Sequence, residues 1–222
     1  IRDRQQEHLR FALSDDGVNW RALNENRPVI ASDTISESGG IRDPHILRGE
    51  DGRFYIVATD MNTAKNGWNE NPGIVLLSSD DLLHWDFHAD PDLLIYDYAP
   101  DVRQVGDYLY FSASRKGRNC PILRTADPLT EPFTEVSAPF AFWDPDMFCD
   151  DDGRVYFYWG CSNISPIYGV ELDPDTMTPI GEKQELIFGN ETVLGYERPG
   201  NNGIVDREAS VLYQSMKQFY DC

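Results

Sequence analysis

Apolar and polar positions alternate along this chain in short runs separated by turn residues. The strongest runs are Phe54-Tyr55-Ile56-Val57, Tyr108-Leu109-Tyr110-Phe111 and Val155-Tyr156-Phe157-Tyr158. They are rich in aromatic and β-branched residues and too short for helices, so they predict strands. Asp51-Gly52, Gly106-Asp107 and Asp152-Gly153 stand just before them. Asp-Gly between apolar runs predicts a hairpin with both turn residues at positive φ.

The pattern repeats at a period of roughly 45–55 residues. Ile41-Arg42-Asp43-Pro44-His45, Tyr98-Ala99-Pro100-Asp101 and Trp143-Asp144-Pro145-Asp146 open three successive units. The steps between their prolines are 56 and 45 residues. A second element recurs nearer the end of each unit. Leu13-Ser14-Asp15-Asp16-Gly17-Val18-Asn19-Trp20 matches Leu77-Ser78-Ser79-Asp80-Asp81-Leu82-Leu83-His84-Trp85, and looser versions surround Asp127 and Asp173. The unit therefore reads strand, tight turn, strand, crossing, strand, polar turn, strand, which is a four-stranded antiparallel blade. Blades are expected over roughly 41–97, 98–141 and 142–188, with residues 8–30 as the outer part of another. The stretch 60–73 is rich in Gly and Asn and reads as a long surface loop. Leu212, Met216, Phe219 and Tyr220 fall at helical spacing behind Asp206, predicting a helix over 206–221. The whole chain, 1–222, reads as one all-β propeller domain. It starts at Ile1 rather than Met and stops at Cys222 after an apolar stretch, so it is expected to be cut at both ends. A closed ring would need sequence beyond Cys222, because repeats require neighbours to bury their faces.

Charge narrows the partners. The net charge is −19 and the pI about 4.4. Such a surface repels phosphate backbones and anionic lipid, so neither a nucleic acid nor a membrane is expected as partner. No run approaches the ~18 apolar residues of a membrane-spanning helix. Neutral carbohydrates remain open, and aromatic residues at 12% of the chain supply flat faces for sugar rings. The four cysteines, Cys120, Cys149, Cys161 and Cys222, lack metal-binding spacing. Cys149 and Cys161 lie in or beside strand runs and are expected to be free, buried thiols. The sequence leaves the location open, a secreted or periplasmic one being compatible with it.

The blade openings carry the candidate chemistry. In a propeller the innermost strand of each blade faces a central channel, so its first residues converge with those of other blades at one mouth. Asp43, Asp101 and Asp144 occupy the equivalent or adjacent slot in three units. Converging carboxylates are costly unless paired, protonated or metal-bound, which marks the place as functional. The structural alternative is that aspartates beside proline only cap turns.

The Ile41–Ile46 segment followed by Asp51-Gly52-Arg53-Phe54-Tyr55 resembles the first-blade motif of glycoside hydrolase family 43. Trp143–Tyr156 is similar to its third-blade motif, and Tyr98-Ala99-Pro100-Asp101 to its Trp-Ala-Pro-Asp segment. The likeness covers about residues 9–200. It implies a five-bladed β-propeller that hydrolyses arabinofuranosyl or xylosyl linkages of oligo- or polysaccharides with inversion. Asp43 would then be the general base and Asp144 the carboxylate that tunes the acid. An inverting hydrolase keeps its base and acid roughly 6.5–9.5 Å apart to admit water. For the general acid the resemblance leaves Glu208, Glu197 or a residue beyond Cys222. His45 and Asp101 are expected to meet sugar hydroxyls. Trp143, Phe142 and Trp68 are candidate stacking faces, with core packing the favoured role for an aromatic on a strand, while His84 and His88 should face solvent at an outer edge. No cofactor is required by this chemistry. The family often carries a calcium or other ion, though the sequence shows no ligand cluster for one. Two other readings stand beside this one: a carbohydrate-binding propeller without catalysis, and a retaining fructosidase-type propeller hydrolase.

Overall fold

The computed structural model describes residues 7–68, 71–160 and 166–187. Three four-stranded antiparallel sheets follow one another along the chain. Blade one contains β3 (Ile41–Arg48), β4 (Phe54–Asp60), β5 (Gly73–Ser79) and β6 (Asp86–His88). Blade two contains β7 (Tyr98–Val105), β8 (Tyr108–Ser114), β9 (Ile122–Thr125) and β10 (Thr134–Ser137). Blade three contains β11 (Asp146–Cys149), β12 (Val155–Trp159), β13 (Ile167–Leu172) and β14 (Pro179–Ile187). Each is a simple meander in which neighbours in sequence pair in space. A small hairpin of β1 (Ala12–Leu13) and β2 (Arg21–Ala22) precedes them. The first strands β3, β7 and β11 lie beside one another, so three blade openings meet along one edge.

Period-two alternation explains how the blades stack. Along β4, Tyr55 and Val57 enter a core shared with Val102, Leu109 and Phe111 of blade two. Ile56 and Ala58, pointing the other way, pack with Leu9 and Ile35 from the segment before blade one. Along β12, Val155, Phe157 and Trp159 pack against Tyr110 and Ile122 of blade two. In blades one and two the middle strands β4, β5 and β8 are thus buried on both faces, which is why they read as continuous apolar runs, whereas Tyr156 and Tyr158 on the far face of β12 are half-buried. Phe111 is fully buried and meets Tyr96 edge-on at 5.0 Å. Each such side chain stabilises the stack by roughly 1.5–3 kcal/mol.

The two Asp-Gly turns are built alike, and differently from the expectation. In 49–53, the Gly49 N–H donates to the Arg53 carbonyl at 2.8 Å and the Gly52 N–H to the Gly49 carbonyl at 3.0 Å. In 150–154, Asp150 and Gly153 repeat both bonds at 2.9 Å. Only the glycines take positive φ, 84° at Gly52 and 82° at Gly153. The aspartates instead accept the N–H of the following arginine, at 3.0 Å in both turns. These are five-residue loops rather than two-residue hairpins.

The polar turns also match atom for atom. The Asp16 carboxylate accepts the N–H of Val18 and Asn19, while Trp20 Nε1 donates to the Gly17 carbonyl at 3.2 Å. Asp81 accepts the N–H of Leu83 and His84, and Trp85 Nε1 donates to the Leu82 carbonyl at 3.2 Å.

Several expectations need correction. The 60–73 stretch contains a one-turn helix, α1 (Thr63–Asn66), capped by the Asn62 side chain. Cys120 is buried, but Cys149 is only half-buried. His84 is exposed as expected, whereas His88 is half-buried and bonded to Ser78 Oγ at 2.8 Å. The helix expected over 206–221 lies outside the described residues, as do Cys161 and Cys222. Among the described residues no helix is long and apolar enough to cross a membrane.

Candidate active site

The residue just before each blade proline has one shared backbone state. Asp43 has φ 49°, Ala99 φ 45° and Asp144 φ 48°. A Cβ opposes this left-handed region, and a following proline favours extended backbone instead. Each such residue costs on the order of 1–3 kcal/mol. The sheet ladder explains why the chain accepts this. Pairing of β3 with β4 breaks between Arg42 and His45 and then resumes. Pairing of β7 with β8 breaks likewise between Tyr98 and Asp101. In blade three the Gly160 N–H donates to the Trp143 carbonyl at 2.8 Å, and the ladder restarts at Asp146. A bulge of this kind re-aims a side chain without ending the strand.

Asp43 and Asp144 therefore occupy the same slot in two blades, with Ala99 in the slot between them. Asp101, expected in the equivalent or adjacent slot, takes the adjacent one. It follows its proline as His45 and Asp146 follow theirs. Asp43 is exposed and Asp144 half-buried.

The post-proline residues form a buried charge network. His45 Nδ1 lies 2.9 Å from Asp101 Oδ1. Arg103 Nη2 lies 2.9 Å from Asp146 Oδ1 and 4.0 Å from Asp101 Oδ1. The Asp101 side chain is only 2% exposed, and its Oδ2 accepts the Met147 N–H at 2.8 Å. Burial is the largest single influence and lowers the His45 pKa, but the charge and hydrogen bond of Asp101 together with the charge of Asp146 outweigh burial and the nearby Arg103, and the net shift is upward. His45 and Asp101, expected to meet sugar hydroxyls, are thus engaged with each other, and Asp101 ties blade two to blade three.

The residues one step earlier form an aromatic rim. The Tyr98 and Trp143 rings lie 5.4 Å apart at 40°. The Tyr98 hydroxyl donates to the Trp68 carbonyl. The Arg42 guanidinium sits 4.5 Å above the Trp68 ring and 3.5 Å from the Glu7 carboxylate. Trp68 and Trp143 keep about half of their surfaces in solvent. Phe142, a candidate stacking face from sequence, is instead a core residue with 2% exposure.

Sequence reasoning passed over Arg42, Thr59, Tyr98, Arg103, Ser114 and Asp146 as members of the site. Thr59 Oγ1 donates to Asp43 Oδ2 at 3.2 Å and accepts the Ala99 N–H at 2.9 Å. Ser114 Oγ accepts the Asp144 N–H at 3.1 Å. Aligning the repeats on their prolines would have placed Asp146 beside Asp101. Nothing in the sequence marks the two hydroxyls. Glu208 and Glu197 lie outside the described residues.

A calcium ion does not fit the residues described here. Arg103 already neutralises Asp146 and stands beside Asp101, and its guanidinium would repel a second cation. Among the described residues no group of three or more His, Cys, Asp or Glu is arranged to hold a metal.

Known proteins place this arrangement in a family. A family profile described as "Probable glycosyl hydrolase domain", related to glycoside hydrolase family 43, matches residues 2–165. An α-L-arabinofuranosidase of Bifidobacterium longum is 27% identical over 77 residues, covering 32% of this chain and 7% of that protein. A 1,2-β-oligomannan phosphorylase of a Thermoanaerobacter species is 27% identical over 209 residues, covering 86% of this chain and 66% of that protein. Among solved structures, a β-xylosidase/α-arabinofuranosidase from a compost metagenome superposes with a TM-score of 0.53 at 17% identity, covering 72% of this chain and 61% of that one. The chain thus spans less than two thirds of each relative's length. With the profile covering residues 2–165, well over half of its length, the chain belongs to the family-43-related glycosyl hydrolase domains.

Proposed function

We propose that this domain hydrolyses arabinofuranosyl or xylosyl linkages of plant oligo- or polysaccharides with inversion, as part of a five-bladed propeller. Asp43 is the general base that activates water. Asp144 keeps the general acid protonated by like-charge repulsion and helps orient the sugar. The acid itself is supplied from outside the described residues, by Glu208, Glu197 or a residue after Cys222. Trp143, Tyr98 and Trp68 offer the sugar its apolar faces.

One observation carries this reading: Asp43 and Asp144 share a strained, bulged slot in blades whose inner strands lie along one edge. Ala99 shares the strain, so the bulge itself belongs to the blade; what supports chemistry is that two of the three bulges present a carboxylate at neighbouring inner strands. Asp43→Asn in the complete protein is expected to lower kcat by at least about 10³-fold while leaving substrate affinity within a few-fold. Retained turnover would remove Asp43 as base.

The phosphorylase relative suggests a second reading, in which phosphate replaces water as nucleophile. Phosphate would need spare positive charge beside Asp43. Among the described residues, Arg42 is balanced by Glu7 and Arg103 by Asp146, which favours hydrolysis. Turnover that depends on added phosphate and yields a glycosyl phosphate would reverse that preference.

A further inference from the structure

We propose that Thr59 is a positioning residue for Asp43, holding its carboxylate in one orientation within the bulged slot. This rests on the reading of Asp43 as base. Thr59 is fully buried in β4. Its oxygen accepts the Ala99 N–H at 2.9 Å. Its single hydroxyl hydrogen is left for Asp43 Oδ2 at 3.2 Å, because an ionised carboxylate can only accept. The branched Cβ limits rotation about χ1, so the hydroxyl is held in place by the strand. Thr59 thereby joins the bulge of blade one to the bulge of blade two.

The comparison along the repeat isolates what is special about it. Thr59 and Ser114 each lie four residues after a strand tyrosine, Tyr55 and Tyr110. Ser114 likewise accepts the N–H of the next blade's bulged residue, Asp144, at 3.1 Å. The matching position after Tyr156 is Gly160, whose φ of 133° and close approach to the Pro166 carbonyl exclude a side chain. The hydroxyl is thus a blade-to-blade tie in two places. In blade one it also donates to a bulged carboxylate, and the residue in blade two's bulge, Ala99, has no acceptor to offer.

Donation to one oxygen stabilises the charged form of Asp43 and fixes its rotamer. Thr59→Val keeps the shape and removes the hydrogen. In the complete protein it is expected to lower kcat roughly tenfold or more, with KM within about twofold. The acidic limb of kcat/KM should move up by about one pH unit. The ion pairs of Arg42 with Glu7 and of His45 and Arg103 with Asp101 and Asp146 are retained in this variant, so a displaced limb reports on Asp43. Thr59→Ser should restore kcat to within about threefold of the parent, since it keeps the donor. Thr59→Ala provides a second donor-free protein should the valine fail to fold. The proposal is overturned by a donor-free variant with the parental kcat and limb, or by a serine variant as impaired as the valine. Its failure is separable from failure of the base assignment: an active Asp43→Asn protein ends both, whereas an inactive Asp43→Asn with a normal Thr59→Val ends this one alone.

Discussion

Asp101→Asn tests the buried network where it is most constrained. The substitution keeps the shape of the side chain and an acceptor for the Met147 N–H. It deletes the negative charge that faces His45 at 2.9 Å and Arg103 at 4.0 Å. With an effective dielectric of about 20, unit charges at 2.9 Å attract by roughly 6 kcal/mol. Desolvation of two buried groups opposes much of this, and removing one partner of such a pair typically costs about 3–5 kcal/mol. His45 has an escape, because it can shed its proton once Asp101 is neutral. The expected loss is therefore about 2–3 kcal/mol near pH 6. The sign of the pH dependence follows from the raised pKa of His45. The pairing contributes in full below the ordinary histidine pKa of ~6.5 and is lost as pH rises through the higher folded value. The gap between parent and variant should thus be widest near pH 6 and narrower near pH 9, leaving a remainder from Arg103. His84 and His88 are unchanged by the substitution and cancel in the difference. Urea denaturation of the two proteins at several pH values measures the gap directly. A gap of equal size at both ends of this range, or none at all, would refute the assignment of His45 as a buried cation held by Asp101.

Two further outcomes are expected. Trp143→Ala should raise KM for an oligosaccharide roughly tenfold while kcat stays within a few-fold, because stacking helps hold the sugar in ground and transition states alike; an unchanged KM in steady-state assays would remove Trp143 from the binding face. Gly17→Ala should cost about 1 kcal/mol in thermal unfolding, since Gly17 has φ 73° and an added Cβ would meet nothing within 4 Å; an unaltered midpoint would show that the backbone relaxes out of the left-handed state.

The repeat was legible because blades reuse one pattern. Prolines 44, 100 and 145, the apolar runs of β4, β8 and β12, and the paired Trp20 and Trp85 turns all announced themselves. The slot shared by Asp43 and Asp144 was legible for the same reason. What stayed hidden depends on distances between blades rather than along them. Arg103 meets Asp146 across 43 positions, and Thr59 meets Ala99 across 40. No local pattern encodes such a pair. His45 and Asp101 were placed correctly on the inner strands, but only packing reveals that His45 Nδ1 pairs with the Asp101 carboxylate. Phe142 fills the core, the role favoured for an aromatic on a strand, although beside Trp143 it looks the same in sequence whether it lines the mouth or packs inside.

The bulges separate sheet registration from side-chain identity. Each is closed by backbone pairing on both sides, Arg42 and His45 with β4, Tyr98 and Asp101 with β8, and Trp143 and Asp146 with the third blade. The pairing on either side is backbone only, so the identity of the bulged side chain does not enter the registration of the sheet. The same socket thus presents a carboxylate to the mouth at 43 and 144 and holds a small buried side chain at 99.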